Sequence, residues 1–223
     1  IILLSFEIVI LIGLNIFIYI SNGNDWFNIL ISTFSIIATV SGVIGNFIAT
    51  KKSILNYVFG LIHVFFYGIV AFFLTIYGDF ILNIFYYIPT SIYGLIYWRK
   101  YVIKSNEEGI KPVAKKLSFK QYILMFISLV VLIPSFGFFL GWLGDRAPFL
   151  DSASTILSIF GMFLMAKFYR EQWVIFLLVN IVSVGIYIRL LILDPNDFNA
   201  ILYIMMWSLY IVNSIIGIIR WRK

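Results

Sequence analysis

The chain contains no cysteine, so disulfides, thiol chemistry and thiolate metal sites are excluded. Charge is scarce: 12% of the 223 residues are Asp, Glu, Lys or Arg, about half the share usual in a soluble domain. There is one histidine, His63, and a single imidazole cannot furnish a metal site. No GxxxxGK[ST], HExxH or GxSxG occurs, so the nucleotide loop, zinc helix and nucleophile elbow of those types are missing. No apolar run carries paired carboxylates or regularly spaced arginines, which weighs against a proton pump or voltage sensor. No metal, no cofactor and no enzymatic activity is therefore expected.

What is plentiful is apolar. Hydrophobic residues make up 62% of the chain, aromatics 19%, and the mean hydropathy is +1.03. They come in long runs rather than alternation, so the lipid bilayer is the expected solvent. The first run, IILLSFEIVILIGLNIFIYI, lacks a basic region and an Ala-x-Ala site, so a retained helix is expected rather than a signal peptide. The chain starts at Ile1, and a short leader is expected before it. Glu7 reads as a snorkelling or helix-start carboxylate.

Runs of roughly 20 apolar residues place spans at 2–20, 27–48, 54–76, 80–98, 119–142, 152–168, 172–193 and 199–219. The junctions are polar or turn-forming: SNGND, ATKKS, IYGD, residues 99–118, GDRAPFLD, YREQ and DPND. Charge tests the division. The connections after the second, fourth and sixth spans, with the C-terminus, hold Lys51, Lys52, Arg99, Lys100, Lys104, Lys111, Lys115, Lys116, Lys120, Lys167, Arg170, Arg220, Arg222 and Lys223. The other side has only Arg146 and Arg189 against six aspartates. By the positive-inside rule both termini are cytoplasmic. The net charge of +6 is then topogenic, and no nucleic-acid partner is expected.

One segment is written twice. Residues 87–100, YIPTSIYGLIYWRK, match residues 210–223, YIVNSIIGIIRWRK, at nine of fourteen places. Upstream, 58–69 (VFGLIHVFFYGI) aligns with 175–186 (IFLLVNIVSVGI), placing His63 on Asn180. Ser35-Ile36 and Ser158-Ile159 give a short further match. A self-match of this kind sets the fold. The expectation is an all-α membrane protein of eight transmembrane helices: an N-terminal helix (1–26), a three-helix bundle (27–98), a basic cytoplasmic loop with a linker helix (99–151), and a second bundle (152–223). The odd linker gives both bundles the same orientation, a 3+1+3 parallel repeat that can enclose a path.

Polar residues inside membrane helices usually face the interior. One stripe carries Asn56, Gly60, His63 and Tyr67; its counterpart carries Trp173, Phe176, Asn180 and Tyr187. The fourth span adds Asn83, Tyr87, Thr90 and Gly94, and the eighth Tyr203, Trp207, Tyr210, Asn213 and Gly217. The second adds Ser32, Ser35, Thr39, Gly42 and Asn46. Amides with aromatic faces suit a neutral or mildly cationic ring-bearing ligand. Plainer readings stand beside this. Ser, Thr and Gly serve packing, and the three asparagines could bond between helices. His63 fits a buried hydrogen bond, and Trp26, Trp98, Trp142 and Trp221 fit an interfacial belt. Pro89 frees the carbonyl of Phe85, so a kink is expected.

The runs LNYVFGLIHVFFY (55–67), YGDFILNIFYY (77–87), REQW (170–173) and the ending IIRWRK together resemble the PnuC-type vitamin transporters, over nearly the whole chain. The resemblance implies two parallel three-helix bundles joined by a linker helix, as in SWEET sugar transporters. It also implies facilitated diffusion of nicotinamide riboside with trapping by phosphorylation, a bacterial inner-membrane location and a homotrimer. The family carries Trp-x-x-Trp where this chain has Trp173 and Phe176, so an aromatic wall survives without the second indole N–H. The expected substrate contacts are Trp173, Phe176, Gln172, Asn180, Asn83, Tyr87, Asn213, His63, Tyr203 and Trp207. The expected function is uniport of nicotinamide riboside, with one bundle rocking against the other. Alternatives are a thiamine or riboflavin carrier of the same fold and, in another class, a non-transporting scaffold or receptor subunit.

Overall fold

The computed structural model describes Val9, Ile12, Gly13, Ile16 and residues 26–73, 80–107, 113–144, 147–193 and 198–222, without the side chains of 32, 71, 102–107, 190 and 198–203. The helices are α1 (Trp26–Ala49), α2 (Leu55–Phe73), a π-helical turn (Leu82–Tyr87) running into α3 (Ile88–Glu107), α4 (Phe119–Trp142), α5 (Pro148–Ala166), α6 (Gln172–Leu193) and α7 (Phe198–Trp221). Among the described residues there is no β-strand, only an isolated parallel bridge between Lys115 and Tyr169. Among the described residues, five helices are long and apolar enough to cross a membrane. The expected first span lies outside the described residues, apart from four helical positions. Of these, Ile12 lines an apolar groove with Ile36, Val40 and Phe59.

Two compact units emerge, residues 1–112 and 113–223. In the first, α2 packs against α1, the π-turn and α3. Close approach is possible because Gly45 has no side chain: a Cβ there would lie 3.3 Å from the Asn56 carbonyl oxygen and the Gly60 nitrogen. In the second unit, α4 packs on α5, α5 on α6 and α6 on α7. A cluster of Leu117, Leu157, Leu164, Ile175 and Val179 fills its interior. Helix α4 is apolar all round, with a mean hydropathy of 2.6 and 6% of its window buried, the pattern of a helix facing lipid.

Local chemistry explains the boundaries. Ser118 and Gln121 form a reciprocal capping box, which starts α4 at Phe119. Helix α5 starts at Pro148, four residues before the expected 152, because proline suits the first helical position. The fourth span continues through Glu107 rather than stopping at 98, so nine residues expected in the loop prolong α3. The kink expected at Pro89 takes the form of the π-turn: the Ile88 N–H bonds back five residues to the Asn83 carbonyl. Proline lacks an N–H and its ring crowds the carbonyl four residues back, so the wider turn accommodates both.

The belt reading fails for two tryptophans. Trp26 and Trp142 are exposed, but Trp98 and Trp221 are 0% and 2% exposed. Each lies one helical turn after a glycine, Gly94 or Gly217, and the bare backbone there opens space for rings.

Candidate functional site

Between α5 and α6 the chain turns through Phe168, whose φ is +64°, a costly conformation for a bulky residue. Phe168 is fully buried and its ring lies 4.9 Å from that of Trp221. The Glu171 carbonyl accepts from the Val174 and Ile175 N–H groups at 3.0 and 3.2 Å, which opens α6. The next two residues, Gln172 and Trp173, are 1% and 2% exposed. The Trp173 indole lies on Gly217, where any Cβ would overlap the ring. It meets Trp221 edge-on at 5.9 Å and Phe176 at 6.4 Å. Phe176 is half-buried against Gly161, where a Cβ would come within 2.8 Å of its ring.

Around this aromatic wall lie buried polar atoms with no hydrogen-bond partner among the described residues. They are both amide ends of Gln172, both of Asn213 and the indole nitrogen of Trp173; the Trp207 indole nitrogen, away from the wall, is likewise unpartnered. Asn213 is 0% exposed and lies one turn before Gly217. Burying an amide with no partner costs on the order of 2 kcal/mol or more. Such groups persist where a bound molecule or ordered water completes them. Trp207 lies further back on α7, its ring perpendicular to Tyr210 at 5.6 Å.

The remaining expected contacts divide. Asn180 donates from Nδ2 to the Ser214 hydroxyl at 2.9 Å, a bond from α6 to α7. In the first unit, His63 Nδ1 is 2.8 Å from the Ala38 carbonyl, which makes that nitrogen the N–H donor, and the ring stacks on Tyr67 at 5.7 Å. Asn83 is buried in the π-turn, and Tyr87 tilts against Tyr86 at 5.5 Å. The Tyr203 side chain lies outside the described residues. Thus Trp173 lies on Gly217 of α7, Asn180 is bonded to Ser214 of α7, Phe176 packs on Gly161 of α5, and Gln172 and Asn213 lie buried at the start of α6 and on α7.

Sequence reasoning left Glu171 and Asn56 out of the site. Asn56 is 2% exposed with both amide ends unpartnered; its place in the first unit, beside Tyr57, resembles that of Gln172 beside Trp173. Glu171 is 5% exposed, accepts from the Tyr122 hydroxyl at 2.8 Å and from Arg170 Nε at 3.3 Å, and leaves Oε2 unpartnered. The signal was its place in REQW, next to the residues already suspected.

Residues 32–223 match the nicotinamide mononucleotide transporter family. The chain belongs to that family. It is a family of membrane transporters rather than enzymes, and the chain is a multi-pass membrane protein. Among its members, the nicotinamide riboside transporter PnuC of Neisseria mucosa is 29% identical over 95% of this chain and 78% of its own length. The PnuC of Escherichia coli is 30% identical over 78% of this chain and 80% of its own. A crystal structure of the vitamin B3 transporter PnuC superposes with a TM-score of 0.71 and 28% identity, covering 98% of this chain and 90% of that one.

Proposed function

We propose that this protein carries nicotinamide riboside across a bacterial inner membrane by facilitated diffusion, as a uniporter with both termini cytoplasmic. The observation that carries the reading is the set of unpartnered amide and indole groups around the Trp173–Phe176 wall in a chain of this family. Trp173 and Phe176 supply faces for a pyridine ring, and Gln172 and Asn213 can each donate to and accept from a carboxamide or ribose hydroxyls. The His63, Asn83, Tyr87, Asn180, Tyr203 and Trp207 contacts expected from the sequence belong to the same proposal.

The family's description names the mononucleotide, whereas the relatives are named for the riboside. The two ligands differ by a phosphate. The charged residue next to Gln172 is the buried carboxylate of Glu171, and its neighbour Arg170 is already paired to it. A phosphate is held most strongly by unpaired Arg or Lys, so the chemistry favours the riboside.

The 3+1+3 parallel repeat, with eight helices and alternating access of the two bundles, is part of the proposal. It is supported by matching construction within each unit. Tyr57, near the start of α2, covers Gly94 and meets Trp98 at 5.0 Å, as Trp173 covers Gly217 and meets Trp221. The residues with positive φ, Lys52 and Phe168, fall at equivalent distances before those rings. This pairs Tyr57 with Trp173, one residue off the register read from sequence. Homotrimeric assembly is included on the resemblance alone.

Calorimetric titration of the purified protein tests the substrate. Nicotinamide riboside should bind saturably, and the mononucleotide, thiamine and riboflavin should not compete. Binding of thiamine or riboflavin in its place would favour the same-fold alternative.

A further inference from the structure

The stretch leading into α4 could have been a plain loop. Instead it is stitched into the turn that precedes α6. The Lys115 N–H donates to the Phe168 carbonyl at 2.9 Å, and the Lys115 carbonyl accepts from the Arg170 N–H at 3.0 Å. Leu117 is buried in the same cluster as Ile175 and Val179 of α6. Four residues into α4, Tyr122 donates its hydroxyl to Glu171 at 2.8 Å. Residues 113–122 therefore hold 168–171 by backbone bonds and a side-chain hydrogen bond to Glu171, and Leu117 adds an apolar contact with α6 just beyond the turn.

The gripped turn holds a backbone in an unusual conformation. Phe168 keeps its left-handed conformation only where its surroundings over-determine it; here the bridge fixes its carbonyl and Trp221 covers its ring. Glu171 starts α6 with its carbonyl while its side chain reaches to α4. A rotation of that residue would turn Gln172 and Trp173 with it.

We infer that Tyr122 and Glu171 are positioning residues for Gln172 and Trp173, and that the segment 113–122 is a strap setting the angle of the ring-binding wall. The inference rests on the reading that Gln172 and Trp173 face the substrate. Glu171 acts through geometry rather than as a charge on the ligand, so a neutral acceptor at 171 should serve as well.

The test is titration of nicotinamide riboside into the purified full chain, with counterflow rates and melting midpoints measured on the same variants. Tyr122→Phe and Glu171→Ala should each weaken binding about fivefold, the scale of one lost hydrogen bond. Their maximal counterflow rates should stay close to wild type. Glu171→Gln, which still accepts from Tyr122, should bind as the wild type does. An unchanged Kd in Tyr122→Phe, even with a lowered melting midpoint, would show a purely structural tie and overturn the inference. A loss in Glu171→Gln as large as in Glu171→Ala would overturn it too, by showing that the charge acts directly. If Glu171→Ala fails to fold, Tyr122→Phe with Glu171→Gln decides. Retained binding in Trp173→Ala would instead defeat the underlying site assignment, independently of the strap.

Discussion

The indole of Trp173 rests on the bare backbone of Gly217, so closely that a Cβ at 217 would have to displace the ring. This contact fixes the wall on which the candidate site is built. Gly217→Ala should push the ring aside and cost about 1–3 kcal/mol, the scale of overpacking in a filled core. Substrate affinity should fall with it. Gly185, by contrast, has nothing within 4 Å of an added Cβ, and Gly185→Ala should leave melting and binding unchanged. Thermal unfolding in detergent with titration of both variants checks the pair.

The unpartnered amides give an opposite signature. Asn213→Leu replaces two unsatisfied groups by a side chain of similar size, which is neutral or stabilising when no bond is lost. Its melting midpoint should hold or rise while nicotinamide riboside binding weakens by about tenfold or more, as for a lost polar contact. A drop in melting midpoint with intact binding would mean that the amide serves the fold.

Asn180 differs in that its amide is already bonded. Its bond to Ser214 joins two membrane helices, and such bonds contribute roughly 0.6–1.7 kcal/mol. Asn180→Leu should lose stability of that order. The double variant with Ser214→Ala should lose little more than either single one. Additive losses would show that the two side chains act separately.

Replacing Trp173 separates face from size. Trp173→Phe keeps an aromatic face over Gly217 and should retain measurable binding. Trp173→Ala should abolish it and, since it empties a buried site, cost about 3–5 kcal/mol of stability. Equal binding by both variants would remove the ring from the site.

Much of the architecture was legible because a bilayer imposes simple rules. Apolar runs bounded by SNGND, ATKKS and YREQ gave helix limits within a few residues. Serine and proline chemistry at 118 and 148 decided two starts. The register read between the middle helices rests on Phe59, Leu61, Gly68 and Ile69, which recur in apolar sequence where coincidences are common. The packing of Tyr57 and Trp173 on glycine pairs them differently. Trp98 and Trp221 looked interfacial because they end their spans, yet the glycine four residues earlier on the same face was the sign of an inward ring. Glu171 escaped notice because its partner, Tyr122, lies 49 positions away, and no local pattern announces such a bond. Gln172, Asn180 and Asn213 stood out because polar groups interrupt apolar faces, and Trp173 and Phe176 because they stand where the family carries Trp-x-x-Trp, but sequence could not say which amides would already be bonded.

The most direct test of carriage is counterflow. Liposomes holding the purified protein are preloaded with unlabelled nicotinamide riboside and given a labelled trace outside, without an ion gradient. The account predicts transient accumulation of label, abolished in Trp173→Ala liposomes and competed by nicotinamide riboside but not by thiamine or riboflavin. Saturable binding in detergent with no accumulation in liposomes would contradict it and point to a receptor or scaffold instead.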